Sequence, residues 1–136
     1  MVEIPREAME LLNNDRATKV VATKTPEGDV HAIIVGSISA PDPRTIVFGT
    51  LIMHRTSENL KAMREKGELA AVLVAYKAVS YEIRCRVLEQ RFEDKELDRM
   101  NKLLELMGLE MSSVWYLEPM EVRDQSASPE AGTRLV

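Results

Sequence analysis

Apolar, β-prone segments follow one another in this chain across gaps of only a few residues, and that spacing limits how it can fold. Residues 18–23 read as a strand centred on Val20, Val21 and Ala22. Thr25-Pro26-Glu27-Gly28 is a turn signal, with Pro at the second position and Gly at the fourth. Residues 30–39 are the return strand, so the pair is expected to form a hairpin. Ala40-Pro41-Asp42-Pro43-Arg44 reads as a second turn, and residues 45–50 as a third strand. Parallel neighbours need crossovers of about a dozen residues or more, which these gaps do not supply.

Residues 69–75 are apolar nearly throughout, the pattern of a strand buried on both faces. In residues 79–88, Tyr81, Ile83, Cys85 and Val87 alternate with Glu82, Arg84 and Arg86, as in a strand with one wet face. Residues 114–122 form a last strand, in which Pro119 indicates an edge or a bulge. Helices are expected over 5–13, with Pro5 in the first helical position, and over 93–107. In the second, Leu97, Met100, Leu103, Leu104 and Met107 share one face, and Gly108 ends it. The fold class is mainly β: about six antiparallel strands in a barrel, with two or three short helices at its side. No glycine-rich dinucleotide loop follows any strand.

A chain of 136 residues is expected to be one domain with a core that needs neither disulfide nor metal. Residues 125–136, with their Ser, Pro, Gly and Ala, read as a flexible tail, leaving the domain over 1–124. The single cysteine, Cys85, fits a reducing compartment, and residues 1–7 lack the apolar core of a signal peptide. The longest apolar run is far too short to span a bilayer. A cytoplasmic protein with no membrane partner is expected. Net charge is -4 and the basic residues form no long run, so a nucleic-acid partner is not expected.

Residues 50–67 hold the densest chemistry. A strand runs into Thr50-Leu51-Ile52-Met53-His54-Arg55-Thr56-Ser57, and a short helix with Leu60 and Met63 on one face follows to Lys66. Thr56 or Ser57 is expected to cap that helix, and Gly67 to end it. Free N–H groups and the positive dipole end favour an anion at such a start. Arg55 adds a charged fork suited to phosphate. One reading is a phosphate pocket; the other is an ordinary capped surface helix with a solvated arginine.

Elsewhere the ordinary readings prevail. His31 and His54 are the only histidines, and without a CxxC or HExxH spacing no metal site is expected. His31 reads as a surface strand residue, Cys85 as a packed core thiol, Lys77 as a solvated turn residue, and Met100 and Met107 as core. Trp115 suits either core burial or a face against a partner or ring.

Met53-His54-Arg55-Thr56-Ser57-Glu58-Asn59-Leu60 resembles the helix-start motif of the FMN-binding split-barrel superfamily, which includes pyridoxamine-phosphate-oxidase-related proteins and small FMN-binding proteins. In the small members the motif is a basic residue, Thr, two variable residues, Asn and an apolar residue. The hairpin over Pro26-Glu27-Gly28, the strand into Thr50, the strand after Gly67 and Tyr81-Glu82-Ile83-Arg84 fall in the expected order, so the resemblance covers roughly residues 17–89. It implies an antiparallel split β-barrel and a homodimer with FMN at the subunit interface. Arg55 and Thr56 would hold the phosphate. His54 and the backbone of Thr50, Leu51 and Ile52 would line the ribityl chain and ring. Val35, Gly36 and Ser37 would lie along the isoalloxazine. The implied function is an FMN-dependent oxidoreductase or electron carrier, with an unidentified redox partner or small-molecule substrate and no assigned catalytic residue. Alternatives are the same fold with a deazaflavin or haem, or a non-catalytic dimeric binding module. Residues 30–39 carry no Arg or Lys, which counts against pyridoxamine phosphate oxidase activity itself, and Cys85 stands where many members have Gly.

Overall fold

A computed structural model describes residues 2–51 and 53–136. In chain order the elements are α1 (Arg6–Leu12), β1 (Thr18–Lys24), β2 (Val30–Ile34), β3 (Ser39–Asp42), β4 (Thr45–Thr50), α2 (His54–Lys66), β5 (Leu69–Tyr76), β6 (Val79–Arg91), α3 (Lys95–Leu104), a 3-10 turn (Glu105–Met107), β7 (Ser113–Asp124) and β8 (Thr133–Arg134). The strands form one sheet in the order β2-β1-β5-β6-β7-β4-β3, with β8 added to β7, and every pairing is antiparallel. The mainly β, antiparallel expectation holds; among the described residues there are eight strands rather than about six.

The expected single strand over 30–39 is two strands. β2 pairs with β1 at one edge of the sheet, and β3 pairs with β4 at the other. Seven strands laid flat would separate their outer members by about 29 Å, at roughly 4.8 Å per strand. Residues 35–38 cannot join them across that span, since five Cα steps reach at most about 18 Å. The sheet is therefore rolled, and its two edges approach at residues 35–38 without pairing to each other. The expected turn over 40–44 is shorter for the same reason, because Ser39 and Asp42 already pair with Val47 and Thr45.

The roll encloses the main core. Val21, Ile46, Phe48, Leu60, Val72, Ile83, Trp115 and Leu117 are fully buried there. Truncating one of the large ones, such as Phe48→Ala, should cost about 3–5 kcal/mol. Cys85 is a core thiol, as expected: it is buried, its S–H donates to the Ile83 carbonyl at 3.6 Å, and burial pushes its pKa up. Pro119 sits at a bulge, where the β6–β7 register shifts between Arg84 and Cys85.

Two expectations about burial are corrected. β5 faces the core only through Ala70, Val72 and Val74; Leu69 and Leu73 are exposed on the outer side. Across that outer face Leu73 pairs with Val20, which pairs with Ile34, and Ala71 pairs with Ala22, which pairs with Ala32. The result is an apolar patch on β2, β1 and β5, with Val30 83%, Ile34 74% and Leu73 39% exposed. On β6 and β7 the same face becomes charged, carrying Arg84–Glu121 and Arg86–Glu118 ion pairs. The helix expected over 93–107 is α3 plus the 3-10 turn. Leu97 and Met100 are buried and Leu103 lies at the open cavity, but Met107 faces outward, because the tighter turn after Leu104 breaks the 3.6-residue stripe.

Residues 125–136 bury few side chains but are tied back by their backbone. The Leu135 N–H donates to the Val122 carbonyl at 2.7 Å, Gln125 N–H to Ser80 at 2.9 Å and Gly132 N–H to Asp124 at 2.6 Å. No helix among the described residues is long and apolar enough to cross a membrane.

Candidate functional site

β4 delivers the chain into the start of α2. The N-cap is Met53, and no side chain caps the helix. The expected cap from Thr56 or Ser57 is absent because both lie inside the first turn. Thr56 is buried, and Ser57 Oγ instead accepts a hydrogen bond from Trp115 Nε1 at 3.2 Å. Trp115 is thus a core residue with its indole N–H satisfied. Asn59 and Leu60 anchor the helix: Asn59 Nδ2 donates to Thr23 Oγ1 at 3.1 Å, and Leu60 is fully buried. Gly67 ends α2 in the left-handed conformation, as expected, at φ 69°. His54 and Arg55 are exposed, and Arg55 makes no ion pair among the described residues. Among the described residues, no bond from outside the helix reaches the N–H groups of residues 54–56, so the first turn and the Arg55 guanidinium suit an anion.

Beside this helix start lies a cavity of about 880 Å³, where the two sheet edges approach under α3. Val35, Gly36, Ser37 and Leu51, four of the expected cofactor residues, line it together. Met53 carries the wall toward α2, and Met100, Leu103, Leu104 and Met111 close the opposite side. His54, Arg55 and Thr56 follow Met53 and lie outside the lining. Ile52, also expected there, lies outside the described residues. Thr50 is turned away: its Oγ1 bonds Ser113 Oγ at 2.6 Å, and its carbonyl accepts from the Ser112 N–H at 3.2 Å.

Three short polar side chains fix the cavity walls, each bonding both an N–H and a carbonyl of one distant residue. Asn13 does so with Ala40, at 2.8 and 2.9 Å. Asn101 does so with Met111, at 2.6 and 3.1 Å. Ser37 Oγ accepts from Gly49 N–H at 2.9 Å and donates to its carbonyl at 3.4 Å. Gly49 packs tightly: a Cβ there would stand 2.0 Å from the Met111 sulfur and 3.0 Å from that of Met100, so those side chains would have to move. Gly36, by contrast, has open space where a Cβ would be, so nothing within this chain demands glycine.

Lys19 also lines the cavity and was not legible as a site residue. It is only 3% exposed, and its Nζ donates to the Ile38 carbonyl at 3.0 Å. Burial lowers its pKa, with Asp15 partly opposing. The usable signal is parity: Lys19 alternates in phase with Val21 and Thr23, the inward face of β1. Because Val20 and Val21 are both apolar, the strand alone does not say which phase points in.

The start of α3 is closed by protein groups. The Asp94 carboxylate caps it by accepting from the Glu96 N–H at 3.1 Å, and it also accepts from the Tyr116 hydroxyl and from Arg91. Arg91 lies 4.2 Å from the centre of the Tyr116 ring. Burial would raise the Asp94 pKa, but the bonds from Tyr116, Arg91 and Glu96 outweigh it and leave it below the usual value. Burial and the bonded Asp94 carboxylate both push Tyr116 up. Glu96, at the cavity, is paired with Arg99 at 2.9 Å. Among the described residues no group of three His, Cys, Asp or Glu converges as a metal site.

Compared with known proteins, the chain matches no family model and no curated sequence. Its fold does match solved structures. An FMN-binding protein from Syntrophomonas wolfei superposes with a TM-score of 0.75 at 14% identity, covering 89% of this chain and 85% of that one. HupZ of Group A Streptococcus gives 0.71 at 16% identity, over 95% and 99%. An F420 reductase gives 0.66 at 17% identity, over 88% and 98%. The chain thus shares the fold of an FMN-binding protein, HupZ and an F420 reductase, in keeping with the resemblance noted for the residues around α2.

Proposed function

We propose that this protein binds FMN between the subunits of a homodimer and serves as an oxidoreductase or electron carrier. The observation that carries the reading is the meeting of Val35, Gly36, Ser37 and Leu51 in one cavity beside an uncapped, arginine-bearing helix start. The fit to FMN is sound on three counts. The volume lies within the roughly 300–1,000 Å³ typical of small-molecule sites. The α2 start offers free N–H groups and Arg55 for a phosphate. Gly36 leaves its backbone open to a planar group. In this assignment Arg55 and Thr56 take the phosphate, His54 and the backbone of Leu51 flank the ribityl chain, and residues 35–37 border the ring. FMN, when bound, supplies hydride or single-electron transfer. The chain's own residues bind it, orient it and exclude water.

The dimer is supported by the apolar outer face of β2, β1 and β5, which reaches the cavity through Ile34. Contiguous apolar patches of this kind mark association surfaces. A deazaflavin is the second reading, favoured by the likeness to an F420 reductase and by a helix start that would take either cofactor's phosphate. The visible spectrum of freshly purified protein, followed by titration with FMN and with F420, tests both. Flavin absorption with stoichiometric FMN binding supports the proposal, whereas tight binding of F420 alone supports the second reading. Sedimentation should show a dimer that Leu73→Glu dissociates. A monomer at micromolar concentration with FMN fully bound would end the dimer assignment.

A further inference from the structure

Lys19 is the buried charge in the cavity wall that no carboxylate pairs. The other buried ionic group there, Glu96, has Arg99. Asp15 is exposed at the rim and acts on Lys19 only through space, without a bond. No ion pair to Lys19 lies within 4.0 Å among the described residues. An ammonium has three N–H donors, and the Ile38 carbonyl takes one. Burying such a group is costly unless it is paired, so an arriving anionic oxygen would recover part of that cost. Thioethers of Met53, Met100 and Met111 also line the cavity, and sulfur makes favourable contacts with aromatic rings.

We infer that Lys19 is a ligand-binding residue of this cavity, its ammonium meeting an anionic or carbonyl oxygen on an otherwise apolar, aromatic ligand. The inference rests on the reading above in taking the cavity as a ligand site, but it does not require that the ligand be FMN. The oxygen can belong to a flavin ring carbonyl or to the carboxylate of an aromatic substrate.

The competing role is structural. The Lys19 carbonyl accepts from the Val35 N–H at 2.9 Å and its Nζ holds Ile38, so the residue also shapes the 35–38 segment. Lys19→Gln separates the two roles, because the amide keeps a donor for Ile38 and loses the charge. Lys19→Met removes both.

The test uses a pair of fluorescent probes. 8-Anilinonaphthalene-1-sulfonate carries an anionic group on aromatic rings; N-phenyl-1-naphthylamine has the same rings without it. The expected result is that Lys19→Gln and Lys19→Met each weaken the sulfonate about 10- to 100-fold and leave the neutral probe within about twofold. If Lys19→Met does not fold, Lys19→Gln carries the test alone. Sulfonate affinity unchanged in Lys19→Gln, or equal losses for both probes, overturns the proposal and leaves Lys19 a staple of the 35–38 segment. Competition identifies the source of the oxygen. Displacement of the sulfonate by FMN assigns Lys19 to the flavin, and simultaneous binding assigns it to the substrate. If FMN does not bind the wild type while the probe pattern holds, the flavin reading falls and the role of Lys19 stands.

Discussion

The two longer helices beside the cavity begin in opposite ways. α3 starts at a carboxylate that caps it, and Tyr116 and Arg91 hold that carboxylate in place. Every strong group at that end is used by the protein itself. α2 starts at Met53 with no capping side chain among the described residues; Thr56 and Ser57 lie inside its first turn, and Ser57 accepts from Trp115. The remainder of α2 is nonetheless well anchored, through Thr56, Asn59, Leu60 and Met63. A helix firmly held along its length but left open at its positive end has an anion-ready terminus; one closed at that end is a structural support. Chemistry at α2 and architecture at α3 is the division this implies.

The largest expected effect tests the architectural half. Asp94→Ala removes the cap, the acceptor for the Tyr116 hydroxyl and the partner of Arg91, and should cost about 2–4 kcal/mol of stability in urea unfolding. A loss under about 0.5 kcal/mol would mean that α3 is held by its apolar face alone. A smaller effect comes from Asp94→Asn, which keeps a cap and a hydrogen-bond acceptor but loses the charge. The folded-state pKa of Asp94 lies below its ordinary value of 3.8. Its contribution is therefore present above that value and lost as pH falls through the folded pKa. Wild type should exceed Asp94→Asn in stability by about 1 kcal/mol at neutral pH, and the gap should close in acid melts as pH falls below the ordinary carboxylate value and through the folded pKa. A gap independent of pH would put the effect outside the ionised carboxylate. The smallest effect is expected from deleting residues 126–136, which touch neither helix start. Stability should fall by about 1 kcal/mol or less, and FMN content should not change. Loss of FMN on truncation would mean that the tail covers the cofactor.

What could be read from the sequence divides along the same line. The α2 segment was legible because its information is local: a strand end, a basic residue, an Asn-Leu anchor and Gly67 within a few turns of chain. Its missing cap was not, because the helix starts at His54, earlier than the hydroxyls suggest, and puts Thr56 and Ser57 inside its first turn. The 30–39 segment carries no strong breaker beyond Gly36, so nothing local says that the chain leaves one sheet edge for the other there. β5 is apolar on both faces, and that pattern does not distinguish burial inside one chain from burial against a second. The 3-10 turn after α3, with Leu106 99% and Met107 68% exposed, departs from a clean helical stripe because the chain tightens there. Asn13, Asn101 and Lys19 are set by partners far along the chain, and each reads locally as an ordinary polar residue.

The central claim is that the open start of α2 holds a phosphate, and Arg55 tests it most directly. Arg55 is exposed and makes no protein ion pair among the described residues, so Arg55→Ala should change stability by no more than about 0.5 kcal/mol. A hydrogen bond to a charged group contributes about 1.5–3 kcal/mol, so the same substitution should weaken FMN binding about 10- to 100-fold. Riboflavin has the same ring and ribityl chain but no phosphate, and its affinity should hardly move. Titrating FMN and riboflavin against wild type and Arg55→Ala therefore decides the matter. A loss confined to FMN is the predicted result; equal losses for the two ligands, or none, would contradict the phosphate assignment.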